Sequence, residues 1–224
     1  MEYTLFKETI EALEKQREKH KACLVGFSGG KDSLVCLDLC TKTFQRVVPF
    51  HLYLVPGLRI IQERLKAAEK YGLAVREYPS FLMFRLFKEE TYCRPDWKTW
   101  EGLKDFSLKE VHDIIRADAG ISLIVSGAKE SDSLWRRQKY FKFMTDENMH
   151  FPLRKWRKVD VLAYLAMHEI DPPKTSRGGS TGIDLSTVSL LWLYDHHPDD
   201  FERIEKYFPY VRAVVKRREW YGIE

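Results

Sequence analysis

One hexapeptide holds the residues best suited to chemistry: Ser28-Gly29-Gly30-Lys31-Asp32-Ser33, set between a short apolar run and an amphipathic stretch. Its two glycines let backbone N–H groups approach an anion closely, and a helix starting there adds unpaired N–H groups and the positive end of its dipole. Ser28 and Ser33 supply hydroxyl donors and Lys31 a positive charge. Asp32 supplies a carboxylate suited to the helix dipole or to a magnesium ion. The ligand class this combination serves is a phosphate. A plain glycine turn with a serine cap would need fewer of these residues. Two other phosphate motifs do not fit. From Gly26 the interval to Gly30 is one residue short of G-x-x-x-x-G-K-[ST], and Lys31 is followed by Asp32; Gly26, Gly29 and Gly30 also miss the G-x-G-x-x-G spacing.

A second set lies in Gly127-Ala128-Lys129-Glu130-Ser131-Asp132-Ser133-Leu134-Trp135-Arg136-Arg137. At the end of a strand, Lys129 and Arg136 would present cations to phosphate or sulfate oxygens, with Gly127, Asp132 and Ser133 beside them. A solvated, charged helix start is the alternative. A third set, Phe151 to Trp156 followed by Val159 to Leu165 and Ile170 to Pro173, contributes Arg154 as a further cation. Within it Trp156, Val161, Leu162 and Leu165 at helical spacing are expected in the core. Lys174 to Gly182, with Arg177 among its cations and hydroxyls, suits a lid over a charged substrate as well as an ordinary polar loop.

The elements that must position these residues follow from periodicity. The pattern predicts a helix over 4–20, a buried strand over 22–27 and a helix after Gly30. A strand over 47–55, a helix over 58–71 closed by Gly72 and a strand over 73–78 come next. Ser107 is an N-cap for a helix to about Ala119, with Glu110 completing a capping box, and residues 121–126 form a fourth strand. A helix over 158–168 and two helices finishing the chain complete the set. Strand and helix alternate as in an open, mainly parallel α/β sheet flanked by helices, with a small C-terminal helical part. Ligands of such sheets sit beyond the carboxyl ends of the strands, where the first two candidate sets fall. Residues 1–175 are read as the nucleotide-binding domain and 176–224 as its loop and helical extension.

Ser28 to Ser33 resembles the S-G-G-x-D-S pyrophosphate loop of the adenine nucleotide alpha hydrolase superfamily, the N-type ATP pyrophosphatases. The two later segments are similar to G-x-R-x-x-E-S-x-x-R and P-L-x-x-W-x-x-x-D-V-x-x-Y-I of the phosphoadenosine phosphosulfate (PAPS) reductase family, which includes the small subunit of bacterial ATP sulfurylase. Lys129 stands for the first arginine and Asp132 for the glutamate. The resemblance implies an enzyme that binds ATP with Mg2+, held in part by Asp32, and cleaves at the α-phosphate. An unidentified acceptor is adenylylated and pyrophosphate released, with Lys31, Asp32, Lys129 and Arg136 as catalytic groups. Ser28, Gly29, Gly30, Ser33, Gly127, Asp132, Ser133, Arg154 and Arg177 would bind the nucleotide. Alternatives are a reductase or sulfur-group transferase acting on phosphoadenylyl sulfate, and a non-catalytic nucleotide-binding partner in nucleic-acid modification. Three departures bear on these. Val55-Pro56-Gly57 stands where the family often has Asp-Thr-Gly, no cysteine follows Cys93, and the cysteine quartet of iron–sulfur reductases is absent.

Composition sets the outer bounds. The 224 residues are 44% hydrophobic and 31% charged, with a formal charge of +4, as for a globular protein with a sizeable core; a nucleic-acid partner is neither required nor excluded. Four cysteines, Cys23, Cys36, Cys40 and Cys93, include no C-x-x-C pair and fit a reducing cytoplasm. Neither a signal peptide nor a membrane span is expected. A second copy or a partner subunit is left open. Cys36 and Cys40 read as small buried hydrophobes, while Cys93 beside Arg94 has the setting of a low-pKa thiol as well as of an incidental cysteine. Asp195-His196-His197-Pro198 reads as a helix start rather than a metal site. Arg212, Lys216, Arg217 and Arg218 read as a solvated helix face over Val214 and Val215.

Overall fold

The computed structural model describes residues 2–93, 104–141, 146–171 and 184–222. The elements in chain order begin with α1 (Glu2–Lys19), β1 (Ala22–Gly26), α2 (Lys31–Thr43), β2 (Arg46–Tyr53), α3 (Arg59–Leu65) and β3 (Arg76–Pro79). They continue with α4 (Phe81–Lys88), α5 (Leu108–Ala119), β4 (Ile124–Ser126), β5 (Met149–His150) and α6 (Lys158–Met167). The last three helices are α7 (Thr187–His196), α8 (Pro198–Tyr207) and α9 (Arg212–Tyr221). The five strands form one parallel sheet in the order β3-β2-β1-β4-β5. Cys23, Leu24 and Val25 of β1 are wholly buried, as a central parallel strand with helices on both faces requires.

Two compact units are present, one of Met1–His51, Arg64–Glu77 and His112–Ser180, the other of Leu52–Glu63, Tyr78–Val111 and Thr181–Glu224. In the first, α2 is fastened well below its start. Asp38, 5% exposed, accepts hydrogen bonds from Tyr164 Oη at 2.6 Å, Tyr71 Oη at 3.2 Å and Lys42 Nζ at 2.7 Å. Burial and the Asp38 charge push the Tyr164 hydroxyl well above the usual tyrosine range, so it stays a donor. Trp156 donates from Nε1 to Thr9 Oγ1 at 2.9 Å and lies against Phe6, tying the segment before α6 to α1. Asp160 accepts the Arg157 N–H at 2.6 Å and so caps its own helix. Trp156, Val161 and Leu165 are buried as expected. Leu162 is not: it lies about a quarter-turn round from Val161 and is 43% exposed.

The second unit has its own core, in which Phe87, Leu190, Leu193, Phe201, Ile204, Phe208 and Val211 are buried and the Phe87 and Phe208 rings stack at 5.0 Å. Three helices close the chain where two were expected, because Pro198 opens α8 and Pro209 opens a short 3-10 turn before α9. Helix α4, capped by Ser80 Oγ, and the two-residue β5 were also not foreseen. The strands expected over 73–78 and 121–126 are shorter than read, and the helix expected over 58–71 runs as α3 and then a 3-10 turn to Tyr71, ended by Gly72 at φ 69°. Ser107 and Glu110 do form the capping box. On α9, Arg212 pairs with Glu205, Lys216 with Glu219 and Arg218 with Asp195, above buried Val214 and Val215. No helix among the described residues is long and apolar enough to cross a membrane.

Asp200, 1% exposed, accepts the backbone N–H groups of Arg59 at 2.7 Å and Ile60 at 3.0 Å, satisfying the start of α3 from α8. Its neighbour Asp199 pairs with Arg59 on the surface, both side chains about three-quarters exposed. Asp200→Ala is therefore expected to lower stability by about 2 kcal/mol. Asp199→Ala should cost less than about 0.5 kcal/mol. Urea unfolding of the two variants measures the difference.

Candidate functional site

Strands β1 and β4 lie side by side in parallel, with Gly26 opposite Ser126, so the loops after them leave the sheet at the same level. Because β2 flanks β1 on one side and β4 on the other, the winding reverses at β1, and the crevice beyond the strand ends opens there. Residues 28–33 fill the turn into α2. Gly29 has φ 67°, and a Cβ there would lie 2.6 Å from Arg64 Cβ and 2.8 Å from Arg64 O, so glycine is demanded by both conformation and space. Gly30 caps α2 with extended backbone and no side-chain hydrogen bond, which leaves the first N–H groups of the helix for a ligand. Ser33 works from inside: its Oγ donates to Gly30 O at 2.9 Å and accepts from Ser28 N at 3.3 Å. Ser28 Oγ is 3.3 Å from Ser33 Oγ.

An alternating chain of charges joins this loop to the one after β4. Lys31 Nζ is 2.9 Å from Asp32 Oδ2, Lys129 Nζ is 2.5 Å from Asp32 Oδ1 and 3.0 Å from Asp132 Oδ1, and Arg136 Nη1 is 2.5 Å from Asp132 Oδ2. Lys129 is the buried member, its side chain 2% exposed. Asp132 Oδ2 also accepts the Lys129 N–H at 3.0 Å, and Ser133 Oγ accepts the Arg136 N–H at 3.1 Å. Burial works to raise the Asp132 carboxyl, but hydrogen bonds from the Lys129 backbone and ammonium, with the Lys129 and Arg136 charges, hold it below the usual carboxylate range. Gly127 is where the loops touch: a Cβ there would meet Asp32 O at 3.0 Å and Asp32 C at 3.2 Å. Both Asp32 oxygens thus face an ammonium, Oδ2 that of Lys31 and Oδ1 that of the buried Lys129.

The sequence-predicted residues Ser28 to Ser33, Gly127, Lys129, Asp132, Ser133 and Arg136 thus lie together. Arg154 is drawn to Glu130, Nε to Oε1 at 2.6 Å, while Glu130 N donates to Arg154 O at 2.9 Å. Arg177 lies outside the described residues. Sequence reasoning passed over Glu130 and Ser131, whose Oγ donates to Trp156 O at 3.0 Å; these residues join the second and third motifs. It also passed over Arg64, against which Gly29 packs. The low-pKa setting proposed for Cys93 is overturned. Its side chain is buried in the second unit, and burial, with the Glu90 charge, pushes the thiol up to about 11. Cys36 and Cys40 are buried with Cys23; burial, with the hydrogen bonds the Cys40 thiol makes to the other two, pushes Cys40 well up. Among the described residues no group of three His, Cys, Asp or Glu is placed to hold a metal.

A parallel sheet flanked by helices, with a glycine loop at the reversal beside its first strand, is the adenine nucleotide alpha hydrolase-like fold. Residues 22–179 match the family model described as phosphoadenosine phosphosulfate reductase domain, and the chain belongs to that family. No curated protein matches the sequence. Among solved structures, the U34-tRNA thiolase NcsA from Methanococcus maripaludis, with its [4Fe-4S] cluster, is similar at a TM-score of 0.51 and 16% identity over 100% of this chain and 90% of that one. The NH3-dependent NAD synthetase from Campylobacter jejuni subsp. jejuni NCTC 11168, in complex with the nitrate ion, is similar at 0.51 and 11% over 100% and 97%. At these identities the likeness establishes the fold.

An unpaired buried charge is costly, and removing Lys129 would also leave two carboxylates facing each other. Lys129→Met is expected to cost about 2–3 kcal/mol by urea unfolding, below the ~3–5 of a fully buried pair because both carboxylates are about a quarter exposed. Gly127→Ala should cost about 1–2 kcal/mol through the Asp32 backbone. Gly30→Ala, whose Cβ would meet only Ser28 Oγ at 3.4 Å, should cost well under 1 kcal/mol.

Proposed function

We propose that the protein binds ATP with its phosphates at residues 28–33 and transfers the adenylyl group to an acceptor, releasing pyrophosphate. The observation that carries this reading is the uncapped start of α2 beside the linked charges of Lys31, Asp32, Lys129, Asp132 and Arg136. An acceptor oxygen attacks the α-phosphorus, the bond to the bridging oxygen of the β-phosphate breaks, and the electron pair leaves with pyrophosphate. Little covalent chemistry is asked of the protein. Its contribution is to hold the phosphates and meet the charge that builds on the leaving group. Backbone N–H groups of residues 30–33 and the Lys31 ammonium do the first, and Arg136, 39% exposed, is placed for the second. Lys129 acts through its neighbours, fixing Asp32 and Asp132 while staying out of solvent. Asp32 would hold magnesium once the Lys31 ammonium moved from Oδ2 to a phosphate, with phosphate and water oxygens as the ion's other ligands. Bound there, it would offset the leaving-group charge.

The family's name favours a second reading, reduction of phosphoadenylyl sulfate. That chemistry asks for an accessible thiolate, and every cysteine of this sequence is buried.

Calorimetric titration with ATP and magnesium tests the first reading. Lys31→Ala and Asp32→Ala are each expected to weaken binding about tenfold or more. Unchanged affinity for every adenine nucleotide would remove the loop assignment. With phosphoadenylyl sulfate and a thiol, no sulfite is expected; sulfite release abolished by Cys93→Ser would establish the second reading instead.

A further inference from the structure

Helix α6 turns an apolar face outward. Asp160, Val161, Tyr164 and Leu165 form its buried side, while Val159, Leu162 and Met167 are 50%, 43% and 64% exposed. Val159, Leu162, Ala163 and Ala166 recur at the helical interval and so line one stripe, on the side of a surface helix that is ordinarily polar. Apolar surface of this kind marks a contact. Beside the stripe runs a shallow cleft lined by Leu162, Leu165, Ala166 and Ile170, together with Glu169 and Asp171.

Charge along the same helix runs in the order that its own dipole disfavours. Lys155, Arg157 and Lys158 stand at the amino end, against Asp160 as the acid of the first turn, and Glu169 and Asp171 follow the carboxyl end. Lys155, Lys158, Glu169 and Asp171 are exposed, and among the described residues none has an ion-pair partner. Within one copy the two ends cannot meet, since Lys158 and Glu169 are about 16 Å apart along a helix. Turned end for end, however, the same helix supplies what is missing. A second α6 packed antiparallel, with a two-fold axis at Ala163, sets Lys155 opposite Asp171, Arg157 opposite Glu169 and Val159 opposite Met167, because each pair is equidistant from Ala163 in the sequence. Ala163 and Ala166 are small enough to let the helices close, and each dipole then meets the opposite end of the other. Lys158, seven residues before Leu165, lies on the flank that bears the cleft and reaches the acids of the other copy there.

We infer that the outer face of α6 is an interface between two copies of this chain, packed antiparallel about a two-fold axis near Ala163, the basic end of each helix meeting the acidic end of the other. A charge pattern complementary to its own reversal is what such a contact requires, and a foreign partner would ask for no such symmetry. The interface stands apart from the adenylyl-transfer reading. It bears on the 28–33 loop only through Tyr164, which on the inner side of α6 donates to Asp38 of α2.

Sedimentation equilibrium on the full chain tests this. The wild type is expected to show a concentration-dependent monomer–dimer equilibrium in the micromolar range, as for a small interface, and to dissociate further as salt is added. Leu162→Asp should weaken the dimer about tenfold or more. Lys155→Glu/Lys158→Glu makes both ends of the helix acidic and Glu169→Lys/Asp171→Lys makes both basic. Each of these variants alone should dimerise about tenfold more weakly than the wild type, whereas their equimolar mixture should pair. All the substitutions fall on exposed side chains, so urea unfolding of the monomers should match the wild type. A chain monomeric at every concentration up to about 1 mM would overturn the inference. So would a dimer that Leu162→Asp leaves intact, or two charge-reversed variants that fail to pair when mixed. A monomeric wild type that Leu162→Asp destabilises would instead give the face to another part of the same chain.

Discussion

The ammonium of Lys129, 2% exposed and held by two carboxylates, is the interaction on which the site depends. A lone charge at that depth would cost several kcal/mol, and two anions at its distances offset that cost only when the loops carrying them are fixed relative to each other. Asp32 comes from the start of α2 and Asp132 from the turn after β4. The ion cluster therefore joins the ends of two strands that share only three residues of ladder. Each carboxylate in turn holds an outer cation, Lys31 or Arg136, so a neutralised interior presents positive charge at its edges.

The rest of the first unit supports that arrangement. Parallel register sets Gly26 and Ser126 level, glycine at 127 lets the second loop lie against the Asp32 backbone, and glycine at 29 lets the first lie against Arg64. Behind the loop, Asp38 locks α2 to Tyr71 and Tyr164. The helix that begins at the 28–33 loop is thereby held at a second point along its length. The motif around Trp156 and Tyr164 thus serves the 28–33 loop indirectly, by positioning the helix that begins there.

Much of this was legible in the sequence because it is local. The apolar run Ala22 to Phe27, the glycine pair and the amphipathic helix after it announce a strand–loop–helix unit, and Ser107 with Glu110 announces a helix start. What could not be read is long-range. Nothing in the residues around Lys129 says that it will be buried against Asp32, since that follows from the β1–β4 pairing. Two-residue β5 carries too little pattern to recognise. Cys93 beside Arg94 suggested an activated thiol, yet side-chain burial against residues over a hundred positions away decides its chemistry. Leu162 fitted helical spacing, but the packed face of α6 is narrower than the apolar pattern suggested.

The account rests on the 28–33 loop being the place where nucleotide phosphates are held. Backbone amide shifts, recorded by heteronuclear NMR on titration with magnesium and an ATP analogue carrying a methylene bridge between the α- and β-phosphorus, address this directly. The largest shifts are predicted at Gly29 to Ser33, with a second group over residues 127–132 as the ion cluster adjusts. Saturating binding that leaves those amides unmoved and shifts others instead would contradict it.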